Sequence, residues 1–124
     1  MANPNRAWTE LAREVIAFVL LATAIVLLWF DNLMLLGVLS AYTVVVLSFW
    51  HERRDIAFFL IIGLFGSVAE VAFVSFGVWR YANRTALGIP LWFPVAFGTS
   101  SVIGARFVGT ATALWETIDF SSAP

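Results

Sequence analysis

Residues 15–50 read VIAFVLLATAIVLLWFDNLMLLGVLSAYTVVVLSFW, two apolar runs that are separated only by Asp31 and Asn32. One continuous helix through both runs would be about 54 Å long, whereas the hydrocarbon core of a membrane is roughly 30 Å thick. Two helices that cross a membrane in succession fit this length better. The stretch therefore predicts a tight helical hairpin that turns at Asp31-Asn32.

The composition of the whole chain agrees with this interpretation. Of the 124 residues, 61% are hydrophobic and 12% are charged, and the net charge is −1. A soluble domain has roughly 45–50% apolar and about 25% charged residues, and one of this length has too little interior to bury such an excess. Disorder requires low hydrophobicity, and nucleic-acid binding requires a basic face. The composition thus excludes these three classes and predicts an integral membrane protein.

The charge-free runs predict four transmembrane spans, at about residues 15–30, 33–50, 56–79 and 90–110, followed by a polar C-terminal tail at 116–124. We expect a single all-α domain, a four-helix bundle with short loops, in which an outer loop rich in aromatic residues and proline joins the third and fourth helices. Six tryptophans support these limits, because they fall near the ends of the spans, where such rings prefer the interface. They are Trp8, Trp29, Trp50, Trp79, Trp92 and Trp115.

The arginines predict the orientation in the cell membrane. Arg6, Arg13, Arg53 and Arg54, joined by Arg106, lie on one side, and Arg80 and Arg84 lie on the other. The positive-inside rule then places both termini in the cytoplasm. Glu10 and Glu14 in the first segment favour a retained membrane helix over a cleaved signal peptide.

One acidic residue, Glu70, interrupts the third span. Gly63, Gly66, Glu70 and Gly77 follow spacings of three, four and seven, which places them along one helical stripe with little bulk except at Glu70. The stripe admits a second helix, and the fourth span offers small residues for it. These are Ser100, Ser101, Gly104, Ala105 and Gly109. Alternatively, the stripe is a groove for a lipid, isoprenoid or carotenoid pigment with Glu70 as its polar contact, or a path for ions or protons.

Arg106 is the candidate counter-charge for Glu70. If the fourth helix starts after Pro94, Arg106 lies about 18 Å from the outer side and can pair with Glu70. If it starts at Pro90, Arg106 lies about 24 Å in and extends to the cytoplasmic headgroups. Glu70 then remains a protonated acid that donates a hydrogen bond. The sequence leaves both alternatives open.

The segment between the third and fourth spans concentrates aromatic, basic and proline residues. Its candidate interface residues are Trp79, Arg80, Tyr81, Arg84, Pro90, Trp92 and Pro94. They form either a clamp for a headgroup or ring system, or an ordinary aromatic belt with arginines at the lipid phosphates. Pro90 can open a helix, and Pro94 four residues later bends or breaks its entry.

The order Glu70, Gly77-x-Trp79-x-Tyr81 and Leu87-Gly88-Ile89-Pro90-Leu91 resembles the helix–loop–helix of membrane carotenoid-modifying proteins, of the lycopene-cyclase and carotenoid-hydratase types. The resemblance covers roughly residues 63–106 and implies an isoprenoid-related groove, with Glu70 as the catalytic residue if the protein is an enzyme. In the cyclase domains the proline-leucine pair is followed by two glutamates that act as proton donors. Trp92 and Phe93 stand there in this chain.

The remaining inventory for catalysis is small. The chain contains no cysteine, its basic residues are all arginine, and its one histidine, His51, stands beside charges at a helix end, so we expect no metal site. No phosphate loop or Ser-His-Asp set is recognisable. The sequence therefore predicts a non-catalytic accessory subunit that contacts membrane lipids and packs with other integral membrane subunits or with itself. The alternative is an isoprenoid- or carotenoid-binding or -modifying protein.

Overall fold

The computed structural model describes residues 3–122, and it contains four α-helices and no β-strand in that range. The helices are α1 (Pro4–Leu28), α2 (Asn32–Phe49), α3 (Arg53–Ser75) and α4 (Phe93–Ser122). The prediction of an all-α four-helix protein with an aromatic, proline-rich loop before the fourth helix is confirmed. Of the described helices, α1, α2 and α3 are long and apolar enough to cross a membrane. That α4 also spans one stays a prediction.

The turn between α1 and α2 lies where the sequence places it. Asp31 is the N-cap of α2, and its side chain accepts a hydrogen bond from the Met34 amide at 3.0 Å. Such a cap satisfies one of the amides that have no partner within the first turn of a helix. The two polar residues therefore end α1 and begin α2, and the long apolar stretch becomes a hairpin.

The last turn of α3 ends earlier than predicted, at Ser75 instead of residue 79. Gly77 has a φ of 75°, the Val78 amide bonds to the carbonyl of Phe73, and the Gly77 amide bonds to that of Val74. This is a Schellman motif, in which a glycine in the left-handed conformation reverses the chain and satisfies the final carbonyls. The residues after it fold back beside the helix.

The fourth helix starts at Phe93, between the two predicted starting points. Pro94 stands in its first turn, where the missing amide has no partner in the helix, so it does not break α4. The helix then continues through residues 116–122 of the predicted polar tail, and residues 123–124 lie outside the described part of the chain.

The first three helices are arranged around α4, which packs against each of them, and α1 also packs against α2. The core between them contains mainly large aliphatic side chains, Leu21, Leu35, Leu39, Val102 and Ile103. The turn at Asp31 and residues 76–92 lie at one end of the bundle, which we call the loop end. The link between α2 and α3 lies at the opposite end, which we call the charged end.

Candidate functional site

Glu70 is buried near the loop end and accepts hydrogen bonds from two aromatic residues of the following loop. Its Oε1 atom accepts one from the indole Nε1–H of Trp79, at 2.5 Å, and one from the Tyr81 hydroxyl. The Schellman motif brings both rings back to α3, nine and eleven residues after Glu70. In these contacts the Oε1 atom of Glu70 is an acceptor with two neutral partners. That Glu70 is also a protonated acid that donates a hydrogen bond stays a prediction.

The Tyr81 hydroxyl stays protonated in this arrangement. Burial, and next the hydrogen bond and charge of Glu70, raise the pKa of Tyr81 from its ordinary value of 10.0 to about 12. A hydroxyl that donates to a carboxylate loses this interaction on ionisation, which is why the neutral form is favoured. Tyr81 is therefore a hydrogen-bond donor to Glu70 throughout the physiological pH range.

The glycine stripe of α3 is occupied by α4. A Cβ atom at Gly63 would lie 3.2 Å from the Cα of Gly98, and one at Gly66 would overlap the ring of Phe97. Ser101 strengthens the contact by donating a hydrogen bond to the Phe58 carbonyl at 3.0 Å. Small residues allow two helix backbones to approach closely inside a membrane. Gly63 and Gly66 thus lie in a helix–helix seam. The place of Gly77 in the stripe was wrong, because α3 ends at Ser75 and a Cβ at Gly77 would meet nothing within 4 Å.

The small residues predicted on the fourth span divide between two faces. Ser101 contacts α3, as predicted, but a Cβ at Gly104 or Gly109 would meet no atom within 4 Å. Gly104 faces a cavity beside α1 instead. The seam partners of Gly63 and Gly66 are Gly98 and Phe97, which lie about two turns earlier on α4 than Gly104 and Arg106.

Arg106 does not pair with Glu70, so that alternative is wrong. Its guanidinium binds Asp55 in the first turn of α3, at 2.8 Å from Nε to Oδ1 and 2.5 Å from Nη2 to Oδ2. It also lies 3.3 Å from Glu52, and its Cζ atom stacks 5.2 Å from the ring centroid of Trp50. Asp55 is about 22 Å along α3 from Glu70 at 1.5 Å per residue. Arg106 therefore belongs to the charged end.

The loop between α3 and α4 closes the loop end of the bundle. Asn83 donates a hydrogen bond from Nδ2 to the Trp29 carbonyl at 2.5 Å, and its own carbonyl accepts one from Asn32 at 3.1 Å. Arg80 and Arg84 are exposed, and their position at lipid phosphates stays a prediction. Pro90 is buried, whereas Trp92 is half-buried. Of the predicted loop residues, Trp79 and Tyr81 contact Glu70.

Glu14 is a buried acid for which the sequence predicted no site. It is 1% exposed, and its Oε1 atom accepts a hydrogen bond from the Thr110 hydroxyl at 2.8 Å. Its Oε2 atom is buried and has no hydrogen-bond partner. The spacing in the sequence could have indicated this burial, because Glu14 precedes Ala17 and Leu21 by three and seven residues and shares their buried helical face.

Two cavities meet at Glu14. The first, of about 370 Å³, is lined by apolar groups of Val15, Phe18, Ile103, Gly104 and Phe107 besides Glu14. The second, of about 390 Å³, lies toward the charged end and is partly polar; it is lined by Arg6, Glu10, Glu14, Arg54, Arg106, Gly109 and Thr110. Glu14 therefore stands between an apolar and a charged compartment.

Comparison of the chain with models of known protein families, with characterised proteins and with solved structures gave no match. Within residues 3–122, no three His, Asp or Glu side chains come together as a group that could hold a metal ion. The function is therefore inferred from the contacts and surfaces of this chain.

Proposed function

We propose that the protein is a small multi-pass membrane protein that works as a non-catalytic accessory subunit. It binds another integral membrane subunit through the exposed face of α2, the side that points away from the other helices. The observation that carries this proposal is the exposure of a small-residue stripe on that helix. Gly37 and Ala41 are exposed and one turn apart, and a Cβ atom at Gly37 would meet nothing within 4 Å. Such small residues let a second backbone approach closely in a membrane.

The arrangement of the helices leaves this face open. Only the opposite side of α2 is buried, through Leu35, Leu39, Thr43 and Val46, against α1 and α4. Large apolar side chains flank the small stripe, with Val44 and Val45 65% and 64% exposed. An apolar face interrupted by a shallow groove of small residues suits a partner helix better than a uniformly bulky face does.

The buried polar groups support a structural role for the interior. Glu70 accepts hydrogen bonds from Trp79 and Tyr81, and the Thr43 and Thr99 hydroxyls, 2.6 Å apart, share one hydrogen bond between α2 and α4. These contacts join one element of the bundle to another. A catalytic acid must present its proton to a substrate, whereas the Oε1 atom of Glu70 already accepts hydrogen bonds from two side chains of the protein itself.

The test is purification of the tagged protein from its native membranes in a mild detergent, followed by size analysis and identification of what elutes with it. We expect a stoichiometric integral membrane partner, or a second copy of the chain. The Gly37→Leu variant, which fills the groove on α2, should lose this partner. Gly104→Leu is the matched control, because it adds the same side chain in open space on α4. A wild-type protein that elutes alone as a monomer contradicts the proposal.

A further inference from the structure

The site at Glu14 is independent of the α2 face and has the features of a binding site for an amphiphile. The Oε2 atom of Glu14 is buried and unpaired, which is rare, because a buried polar atom without a partner destabilises the fold. Neither protonation state removes this problem, since a carboxylate needs a donor there and a carboxylic acid needs an acceptor. The atom therefore indicates a group that the chain itself does not supply.

The two adjoining cavities define the shape of that group. The apolar cavity between α1 and α4 is open beside Gly104, where a Cβ would meet nothing within 4 Å, and it can hold a hydrocarbon chain. The polar cavity next to it contains cationic side chains that can bind an anion. A molecule that occupies both compartments has an acyl chain, an anionic group and a hydrogen-bond donor.

The charges of the polar cavity identify which groups are available. Arg106 is engaged by Asp55 and Glu52, and Glu10 is bound to Arg13 at 2.5 Å. Arg6 is exposed and forms no ion pair with the described residues, and Arg54 has only a 3.7 Å contact with the exposed Glu52. Arg6 and Arg54 are thus available to bind an anion, and the Oε2 atom of Glu14 is available to accept a hydrogen bond from a cationic group.

We propose that this site binds one phospholipid with a primary-amine headgroup, of the phosphatidylethanolamine class. Its phosphate lies at Arg6 and Arg54, its ammonium donates to the free oxygen of Glu14, and an acyl chain lies along Val15, Phe18 and Gly104. A rotation of the Glu14 carboxylate toward the polar cavity brings Oε2 to the ammonium. The charged end is then the end that faces the headgroups of this lipid.

The experiment measures lipid binding to the delipidated full-length protein in detergent by native mass spectrometry. The probes are phosphatidylethanolamine, phosphatidylcholine and phosphatidylglycerol with identical acyl chains, and phosphoethanolamine without chains. Phosphatidylcholine keeps the positive charge but has no N–H, and phosphatidylglycerol has hydroxyl donors but no cation. We expect one phosphatidylethanolamine per chain, bound about tenfold more tightly than either lipid, as for one charged hydrogen bond. Phosphoethanolamine alone should not bind.

Two variants divide the site into its polar and apolar parts. Glu14→Gln can still accept from Thr110 and should bind phosphatidylethanolamine and phosphatidylcholine equally. Gly104→Leu fills the apolar cavity without meeting a backbone and should weaken all three lipids, whereas Gly37→Leu on α2 should bind them as the wild type does. The two glycine variants are controls for each other, since the partner proposed above depends on Gly37 and the lipid depends on Gly104.

Several results would overturn the assignment. Equal wild-type affinities for phosphatidylethanolamine and phosphatidylcholine would show that Glu14 receives no donor from the lipid, and tighter phosphatidylglycerol binding would exclude the ammonium. Binding of phosphoethanolamine without chains would remove the role of the apolar cavity. Unchanged binding by Gly104→Leu would place the lipid elsewhere. A circular-dichroism melt of each variant verifies that it is folded.

Discussion

Arg106 on α4 and Asp55 on α3 form a two-pronged ion pair at the charged end, with the Asp55 residue 2% exposed. Each Asp55 oxygen faces a different nitrogen of the guanidinium, the geometry in which an arginine binds a carboxylate most strongly. The pair joins the first turn of α3 to the middle of α4. It lies in the same α3–α4 interface as the close approach of Gly63 to Gly98.

Removal of one partner of this pair should strongly destabilise the bundle. Arg106→Ala leaves a buried carboxylate without its counter-charge, and such changes cost about 3–5 kcal/mol. The measurement is unfolding in detergent followed by circular dichroism. Arg13→Ala is the control, because Arg13 pairs with Glu10 on the exposed side of α1, where a pair contributes about 1 kcal/mol or less. Equal effects of the two variants would contradict this interpretation.

The Glu70 cluster should stabilise the return of the loop onto α3. Glu70→Ala removes the acceptor of Trp79 and Tyr81, and we expect a loss of about 1–3 kcal/mol for the unsatisfied donors. The double variant Glu70→Ala with Tyr81→Phe should cost less than the two single losses added together, since the residues share one contact. The check is a double-mutant cycle of unfolding free energies, and strict additivity would show that they do not interact.

The raised pKa of Tyr81 predicts how its contribution depends on pH. The unfolded hydroxyl ionises near 10.0, whereas the folded one ionises near 12, so the folded state retains its proton in between. The stabilisation from Tyr81 is present below pH 10 and is lost as the pH rises to about 12. The measurement is the difference in unfolding free energy between wild type and Tyr81→Phe. A difference that stays constant between about pH 9 and about pH 12 would contradict the raised pKa of Tyr81.

A large side chain at Gly63 should destabilise the α3–α4 seam. The Cβ of Gly63→Leu would lie 3.2 Å from the Cα of Gly98 and 3.4 Å from the Pro94 carbonyl oxygen, both backbone atoms that can move only if the helices separate. Overpacking of this kind costs about 1–3 kcal/mol. Gly104→Leu, in open space on α4, should leave the melting temperature nearly unchanged. A Gly63→Leu protein as stable as Gly104→Leu would refute the close approach.

Much of the fold could be read from local sequence. The charge-free lengths, Asp31-Asn32 and the proline-rich loop determine four helices and their order, because apolar length and turn chemistry act within a few residues. The stripe of Gly63, Gly66 and Glu70 also indicated a close contact on α3. Each of these features depends on the spacing of residues along a short stretch of chain, and that spacing can be read from the sequence.

The pairing of polar groups could not be read in the same way. Glu70 meets Trp79 and Tyr81 because a Schellman motif ends α3 four residues earlier than its apolar run suggests. Arg106 meets Asp55 because α4 starts at Phe93 and packs in a register fixed by contacts with Gly63. A shift of one turn, about 5.4 Å, would change these partners completely.

The sequence by itself determined the class of this protein, its helices and the residues too polar to face lipid, since transfer of a side chain into an apolar environment is a local property. Only the tertiary structure decided which of those residues satisfy one another. Asp55 pairs with Arg106, and Glu70 accepts hydrogen bonds from two aromatic side chains. One oxygen of Glu14 has no hydrogen-bond partner, because the only donor that α4 places beside this carboxyl group is the hydroxyl of Thr110.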